Sequence, residues 1–522
     1  MADFDGVVPE SAEVIVIGAG SAGCVVARRL ADAGVNVVLV EAGGADRNPA
    51  IHDPVRSFEV LGGPDDWCYE STEQPGLGGR TIAHPRGKVL GGTSCLNGMI
   101  FVRGHRSDFD TWAYLGNEGW SYDDVLPLFK RYEDFDGGAS ELRGAGGPLH
   151  VLSDYEPHPL VAGLLEAAQE AGIAANPDYN AERLEGVAPI QFTIKDGERH
   201  NAWRAFVKPI VGVENLTVVT GCQVQRLLLD NGRCTGVGLV NTGSVYEIHA
   251  EHEVVLSAGA FDSPKVLMLS GIGPADELRR YGIDVAVNLP GVGDALQDHI
   301  FSPLVFSAAR DIPPAIPGVM QFHGTMFWHS RAGLIGPDLQ ALLGHLPHYP
   351  DGCEGPPEGF TLTSMLTRPA SRGTVRLQSA DPTAGPVIDP NYLSAEADVE
   401  AIVSGLHLLR EVAAQSPLDG WRGEELYPGP GVTADADLRA YVRSSMSTIY
   451  HPTSTCRMGV DATAVVDPAL RVYGVEGLRV ADASVMPMIT SANTQAPTMM
   501  IGERAAANVL DAIGAGEVVA AP

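Results

Sequence analysis

Residues 13–43 read EVIVIGAGSAGCVVARRLADAGVNVVLVEAG, and no other stretch of the chain restricts its fold as tightly. Glu13–Ile17 is a β-branched run suited to a buried parallel strand. Gly18-Ala19-Gly20-Ser21-Ala22-Gly23 follows and fits GxGxxG. The spacing of Val25, Val26 and Leu30 predicts a helix from Ser21 to about Ala33, ended by Gly34. A second strand, Val35–Val40, runs into Glu41. Each piece has a task in gripping a dinucleotide. Gly18 permits a tight turn, Gly20 lets the backbone approach a pyrophosphate, and Gly23 lets helix and strand pack closely. The first-turn N–H groups at Ser21 and Ala22 offer a positive dipole end to the phosphates. Glu41 is placed to bind both ribose hydroxyls, and its charge disfavours a 2′-phosphate. A glycine-rich structural turn is the alternative, but strand, turn, helix, strand and terminal acid all occur in order. The motif does not choose between NAD and FAD.

The chain has 522 residues, enough for two or three domains. Hydrophobic residues make up 45% and charged residues 19%, a globular balance. A net charge of −30 repels nucleic acid and anionic membrane surfaces and favours solubility. None of the seven cysteines belongs to a CxxC pair, which argues against a zinc site or a disulfide framework, so no metal is expected. The N-terminal MADFDGVVPESAE is acidic and lacks the pattern of a secretory signal. No apolar run approaches the roughly 20 residues of a membrane helix. The reading is a cytoplasmic protein, monomer or homodimer, with no nucleic-acid or membrane partner.

Further along, HPRGKVLGGTSCLNGMIFVRG, from His84, surrounds small polar residues with glycines and then turns apolar, which suits a buried loop against a ligand. Helical spacing marks 159–172, and short strands are expected at 216–220 and 223–229. EVVLSAGAFDSPKVLMLSGIGP, from Glu253, repeats strand, small turn and helix, with Ser263-Pro264 expected at the helix start. Prolines cluster through 301–440 between apolar strands, so this region is expected to carry a sheet of its own. Leu478–Ala481 reads as a strand ended by Asp482, and a helix is expected from about Ala496-Pro497 to Leu510. The alanine-rich end, GAGEVVAAP, is expected to fray.

These blocks, together with YHPTSTCRMG from Tyr450 and DASVMP…NTQAPTMMIGE from Asp482, resemble the glucose–methanol–choline oxidoreductases. The likeness runs from Val14 to about Ala507. It implies an α/β chain (α+β overall): a Rossmann-like FAD domain assembled from 1–155, 190–300 and 441–522, and a substrate domain on an antiparallel sheet from 156–189 and 301–440. It implies FAD rather than NAD, with Ala42, Val89, Gly91, Gly92, Asn97, Gly98, Met99, Ile100, Val224, Ala258, Asp482, Ala483, Asn493, Thr494 and Pro497 joining the glycine motif and Glu41 around it. It implies oxidation of an alcohol by hydride transfer to flavin N5, with O2 or another acceptor taking the electrons. His451 and Asn493 match the catalytic pair. An imidazole titrates near neutral pH and can take the hydroxyl proton, while an asparagine amide can steady the alkoxide. Cys456, near His451, reads as a small buried residue rather than a reactive thiol.

The chain departs from the family in two places. Members that bind FAD covalently use a histidine where this chain has Leu96, so non-covalent FAD is implied. Choline-oxidising members carry a glutamate near the position of His323, and QFHGTM here has no acid. His323, Phe327 and Tyr450 are the expected substrate residues. Phe322, Phe327 and Trp328 could bind a cation through their rings or line a pocket for a neutral or aromatic alcohol, the preferred reading. A lyase or light-driven decarboxylase on the same scaffold is the alternative to alcohol oxidation, and the His451–Asn493 pair disfavours it.

Overall fold

The computed structural model describes residues 8–241 and 243–515. Most of the acidic N-terminal stretch and of the alanine-rich end lies outside them. The β-branched runs are buried on both faces and form one seven-stranded sheet. Its order is Leu216–Val219, Val37–Val40, Ser11–Ile17, Ser244–Leu256, Arg233–Asn241 and Cys222–Asp230. The long strand Ser244–Leu256 serves two neighbours in turn. Its first half pairs antiparallel with Arg233–Asn241, and its second half lies parallel to Ser11–Ile17. Leu478–Val480 joins it in parallel on the other side. Ile17 is level with Val40 and with Leu256, and Leu256 with Val480. The carboxyl ends of the parallel strands therefore bring Gly18, Glu41, Ser257 and Asp482 to one edge, where open α/β sheets bind ligands.

The helix after the glycine turn spans Ser21–Asp32 and packs on the C-terminal helix Gln495–Ala512. Gly18 sits at φ +94°, and a Cβ there would lie 2.4 Å from the Ser257 carbonyl oxygen. The turn thus needs glycine for both conformation and space.

The second seven-stranded sheet is antiparallel. Its order is Arg422–Tyr427, Ile300–Ala308, Gly359–Leu366, Leu339–Gly344, Phe322–Trp328 and Gly186–Pro189. Ser447–Thr448 pairs with the start of Ile300–Ala308. Alternation along Gly359–Leu366 assigns its faces. Phe360, Leu362 and Leu366 join an apolar core with helices Pro159–Glu170 and Glu396–Ala413. Thr363 and Met365 face a cavity between this sheet and the first one.

One element differs from expectation. The helix holding Ser263-Pro264 starts at Gly259, so Pro264 lies inside it. A proline there leaves the carbonyl four residues back without its donor. The Thr455 hydroxyl donates to that carbonyl, Ala260 O, at 2.6 Å. A tertiary contact thus supplies the bond the helix cannot make.

Candidate active site

A cavity of about 390 Å³ runs from the glycine turn to the second sheet. At its first end the helix Ser21–Asp32 presents a first turn that no side chain caps. A Cβ on Gly20 would meet nothing within 4 Å, so the backbone is open toward the cavity. Glu41 accepts from Ala19 N at 2.9 Å and Gly43 N at 2.8 Å. Burial pushes its carboxyl up to about 7 against those donors. Asp482 accepts from Gly259 N, Ser263 Oγ and Ser484 N at 2.6–2.9 Å. An uncapped helix start, a backbone without side chains and a terminal carboxylate fit the diphosphate and ribose of a dinucleotide.

At the other end lie His451 and Asn493. The strand pairing that sets Ile300 beside Thr448 brings His299 against His451. Their Nδ1 atoms are 2.9 Å apart, with rings nearly perpendicular at 86°. His299 Nε2 is 2.9 Å from the Thr490 carbonyl oxygen, which can only accept. His299 therefore carries its proton on Nε2. Burial lowers this ring to about 4, so it is neutral and its Nδ1 is a lone pair. His451 must then donate from Nδ1, which leaves its Nε2 unprotonated. That nitrogen is 3.4 Å from Asn493 Nδ2. Gln340 Nε2 donates to Asn493 Oδ1 at 3.1 Å and so turns the asparagine N–H groups toward His451. Burial first, then His299 and the Arg86 guanidinium, hold His451 well below the usual imidazole range.

The backbone here is held as firmly as the rings. Tyr450 has φ +66°, a costly conformation for a bulky residue. Arg86 Nη2 donates to Tyr450 O at 2.6 Å, and Tyr450 N donates to Thr448 Oγ1 at 2.8 Å. His451 N donates to Asp298 Oδ1 at 2.7 Å. The other Asp298 oxygen accepts from Tyr392 and Thr448 hydroxyls, both at 2.5 Å.

The cavity wall unites Gly18, Gly20, Ser21, Ala22, Glu41, Ala42, Gly92, Asn97, Gly98, Ile100, Val224, Ala258, Asp482, Ala483, Asn493, Thr494, Tyr450 and His451. Gly23, Val89, Gly91, Met99 and Pro497 stand behind it. A Cβ on Gly23 would lie 1.9 Å from Gly18 O, so this residue serves helix-to-turn packing. Met99 is fully buried in a separate apolar cluster. Two expected substrate residues also fall outside the wall. A bulge between Phe322 and Gly324 puts Phe322 at the cavity. His323 instead packs against Tyr155 and His345 and accepts from His158 N at 3.0 Å. Phe327 lies one strand beyond Gln340 and is covered by Tyr179, with ring centroids 5.9 Å apart.

GMC oxidoreductase family models match residues 12–301 and 369–502. The chain belongs to the GMC oxidoreductases. It is thereby an enzyme of a flavoprotein family that acts on CH–OH groups. Curated relatives include the oxygen-dependent choline dehydrogenases of Rhizobium etli, 40% identical over 96% of this chain and 95% of that protein, and of Brucella ovis, 39% identical over the same shares. Among solved structures, pyridoxine 4-oxidase from Mesorbium loti superposes with a TM-score of 0.91 at 33% identity, covering 95% of this chain and 98% of that one. A formate oxidase from Aspergillus oryzae gives a TM-score of 0.90 at 27% identity over 97% and 99%.

Of the residues that hold the catalytic end, sequence reasoning missed His299, Asp298, Arg86 and Gln340. Only the acid–histidine pair ending GDALQDH hinted at the first two, and nothing local marks it. Among the described residues no cluster suited to a metal ion occurs, and no helix is long and apolar enough to cross a membrane.

Proposed function

We propose that this protein oxidises an alcohol to its aldehyde or ketone with FAD, using His451 as the base and Asn493 as the alkoxide donor. The observation that carries this is the proton order along Thr490, His299 and His451, which leaves one imidazole nitrogen bare and facing an amide N–H. Ser21 and Ala22 N–H groups would hold the diphosphate, Glu41 the adenosine ribose and Val224 the adenine. The segment Gly92–Ile100 and the start of helix Gln495–Ala512 would flank the flavin, with the helix dipole directed at it. Bound there, FAD supplies the acceptor for the hydride that leaves the carbinol carbon.

The chain's own residues do the rest. His451 Nε2 takes the hydroxyl proton, and the Nδ1–H bond to His299 steadies the imidazolium that forms. Asn493 Nδ2 donates to the oxygen as its charge grows. Gln340 keeps that amide from flipping, and Asp298 with Arg86 keeps the strained turn before His451 in place.

Replacing His451 by alanine is expected to slow anaerobic flavin reduction by roughly 10²–10⁴-fold. A rate within about tenfold of wild type, with FAD content unchanged, refutes the assignment. Leu96 lines the cavity without a nucleophilic atom, so FAD is held non-covalently in this reading. Acid precipitation is then expected to leave yellow flavin in the supernatant; flavin in the pellet counts against it.

A further inference from the structure

Among the described residues, the carboxylates of the cavity wall are Glu41, Asp262 and Asp482. All three are engaged at the nucleotide end. Glu41 bridges two backbone amides of the glycine turn region, and Asp482 caps two turns. Asp262 accepts from the Tyr69 hydroxyl at 2.9 Å. The acid nearest His451, Asp298, is buried behind it and saturated by three donors. The charge that does stand in the wall beside His451 is positive. Arg86 donates to Pro85 and Tyr450 carbonyls and makes no ion pair among the described residues. The other side chains of this end include Tyr450 and Thr363 together with Phe301, Met320, Phe322, Leu342, Met365 and Ile449. A quaternary ammonium entering here would exchange water for a largely apolar wall, find no carboxylate lining it among the described residues, with Asp351 acting on His348 and Tyr450 only from outside the wall, and meet a guanidinium. Burying an uncompensated charge is among the costliest steps a site can ask for. A neutral aromatic ring loses little by the same transfer and gains contacts with Phe301 and Phe322.

A further polar side chain of this wall is an imidazole. The His348 ring lies over Phe301, with centroids 5.5 Å apart and planes tilted by 46°. Its backbone N–H is fixed by Thr361 Oγ1 at 2.7 Å. Neither ring nitrogen has a hydrogen-bond partner among the described residues, and the ring borders the cavity. Burial keeps it below the usual imidazole range, hence neutral, with one donor and one acceptor to offer. Thr361 lies two residues from Thr363 and four from Met365 along one strand face. The imidazole is thus anchored away from the Met365–Gln340 row that carries Asn493, and reaches back over Phe301.

On this basis, and resting on the alcohol-oxidation reading above, we infer that the substrate is a neutral aromatic alcohol whose ring carries a hydrogen-bonding group, and that His348 reads that group. The carbinol lies at His451 and Asn493, the ring between Phe301 and Phe322, and the ring substituent at His348.

The test follows anaerobic flavin reduction by benzyl alcohol, 4-hydroxybenzyl alcohol, 3-pyridinemethanol and choline with the holoenzyme. The aromatic alcohols are expected to reduce the flavin with kcat/KM at least about 100-fold above choline, the scale on which a mismatched buried polar group is rejected. In His348→Phe, which keeps the packing on Phe301, the preference for 4-hydroxybenzyl or pyridine alcohol over benzyl alcohol is expected to fall about tenfold, one hydrogen bond's worth. Choline reducing the flavin as fast as the best aromatic alcohol overturns the inference and leaves alcohol oxidation standing. An unchanged preference in His348→Phe overturns the role of His348. Reduction by no alcohol overturns the alcohol reading itself, and this inference with it.

Discussion

Among the described residues, two sets of histidines pack ring against ring, and they differ in one respect that matters. His299 and His451 form a directed series in which each nitrogen has an assigned role and the last one opens on the cavity. His158, His323 and His345 lie in the second sheet and its flank, with His158 and His345 stacked at 4.0 Å and 9°. There, His323 Nε2 and both His345 nitrogens find no partner among the described residues. Burial lowers all five rings from their usual range. A depressed imidazole is therefore no mark of a site by itself. A carbonyl, Pro313 O, fixes a tautomer at His158 too, so the site is marked by a fixed tautomer that dictates the proton position of the next ring.

The largest effect that would sharpen this contrast is at His299. Replacing it by phenylalanine keeps the volume and removes the acceptor for His451 Nδ1–H. The forming imidazolium then loses a charge-assisted bond of about 1.5–3 kcal/mol, so flavin reduction is expected to fall roughly 10–10²-fold. His299→Gln offers an acceptor to His451 and a donor to Thr490 O, and is expected to recover much of the loss. If glutamine and phenylalanine are equally slow in stopped-flow traces, His299 acts by packing alone.

How much of this could be read from the sequence differs between the two ends of the cavity. The nucleotide end was legible because its parts are local: a strand, a glycine turn and an acid lie within 13–43. The mixed α/β fold and its second sheet followed from the shift in strand and proline pattern. The catalytic end is assembled from the 299, 340, 451 and 493 regions, and no local pattern reports a hydrogen bond spanning 152 residues. The same limit explains His323 and Phe327. At His323 a one-residue bulge exchanges which side chain meets the cavity, and alternation counted along the sequence cannot detect it, while Phe327 is covered by Tyr179 from a distant segment.

A smaller effect is expected at Arg86. Its charge helps hold His451 below the usual imidazole range, so removing it raises that value. A base with a raised value is protonated at higher pH. The acid limb of kcat/KM should therefore move upward in Arg86→Gln and return toward wild type in Arg86→Lys, which restores the charge. The other groups facing His451 are His299, Asn493 and, through the backbone, Asp298. A limb unmoved in Arg86→Gln would leave burial and His299 as the causes of the depression.

The smallest effect on turnover, and the sharpest break between the two histidine groups, is expected at His345. Its value in the folded protein is about 3, against about 6.5 in the unfolded chain. Between those values the unfolded state binds the proton and the folded state does not, so stability is lost as pH falls below about 6.5. At pH 5 the loss from this ring is about 1–2 kcal/mol, at 1.36 kcal/mol for each pH step. His345→Phe preserves a ring to stack on His158 and removes the titration. It is expected to leave flavin reduction at pH 7.5 unchanged and to narrow the gap between melting temperatures at pH 7.5 and pH 5. A variant that slows catalysis as His299→Phe does would join the two clusters into one functional network, whereas an unaltered gap would mean that the ring takes up its proton in the folded state, through local opening that lets water reach it.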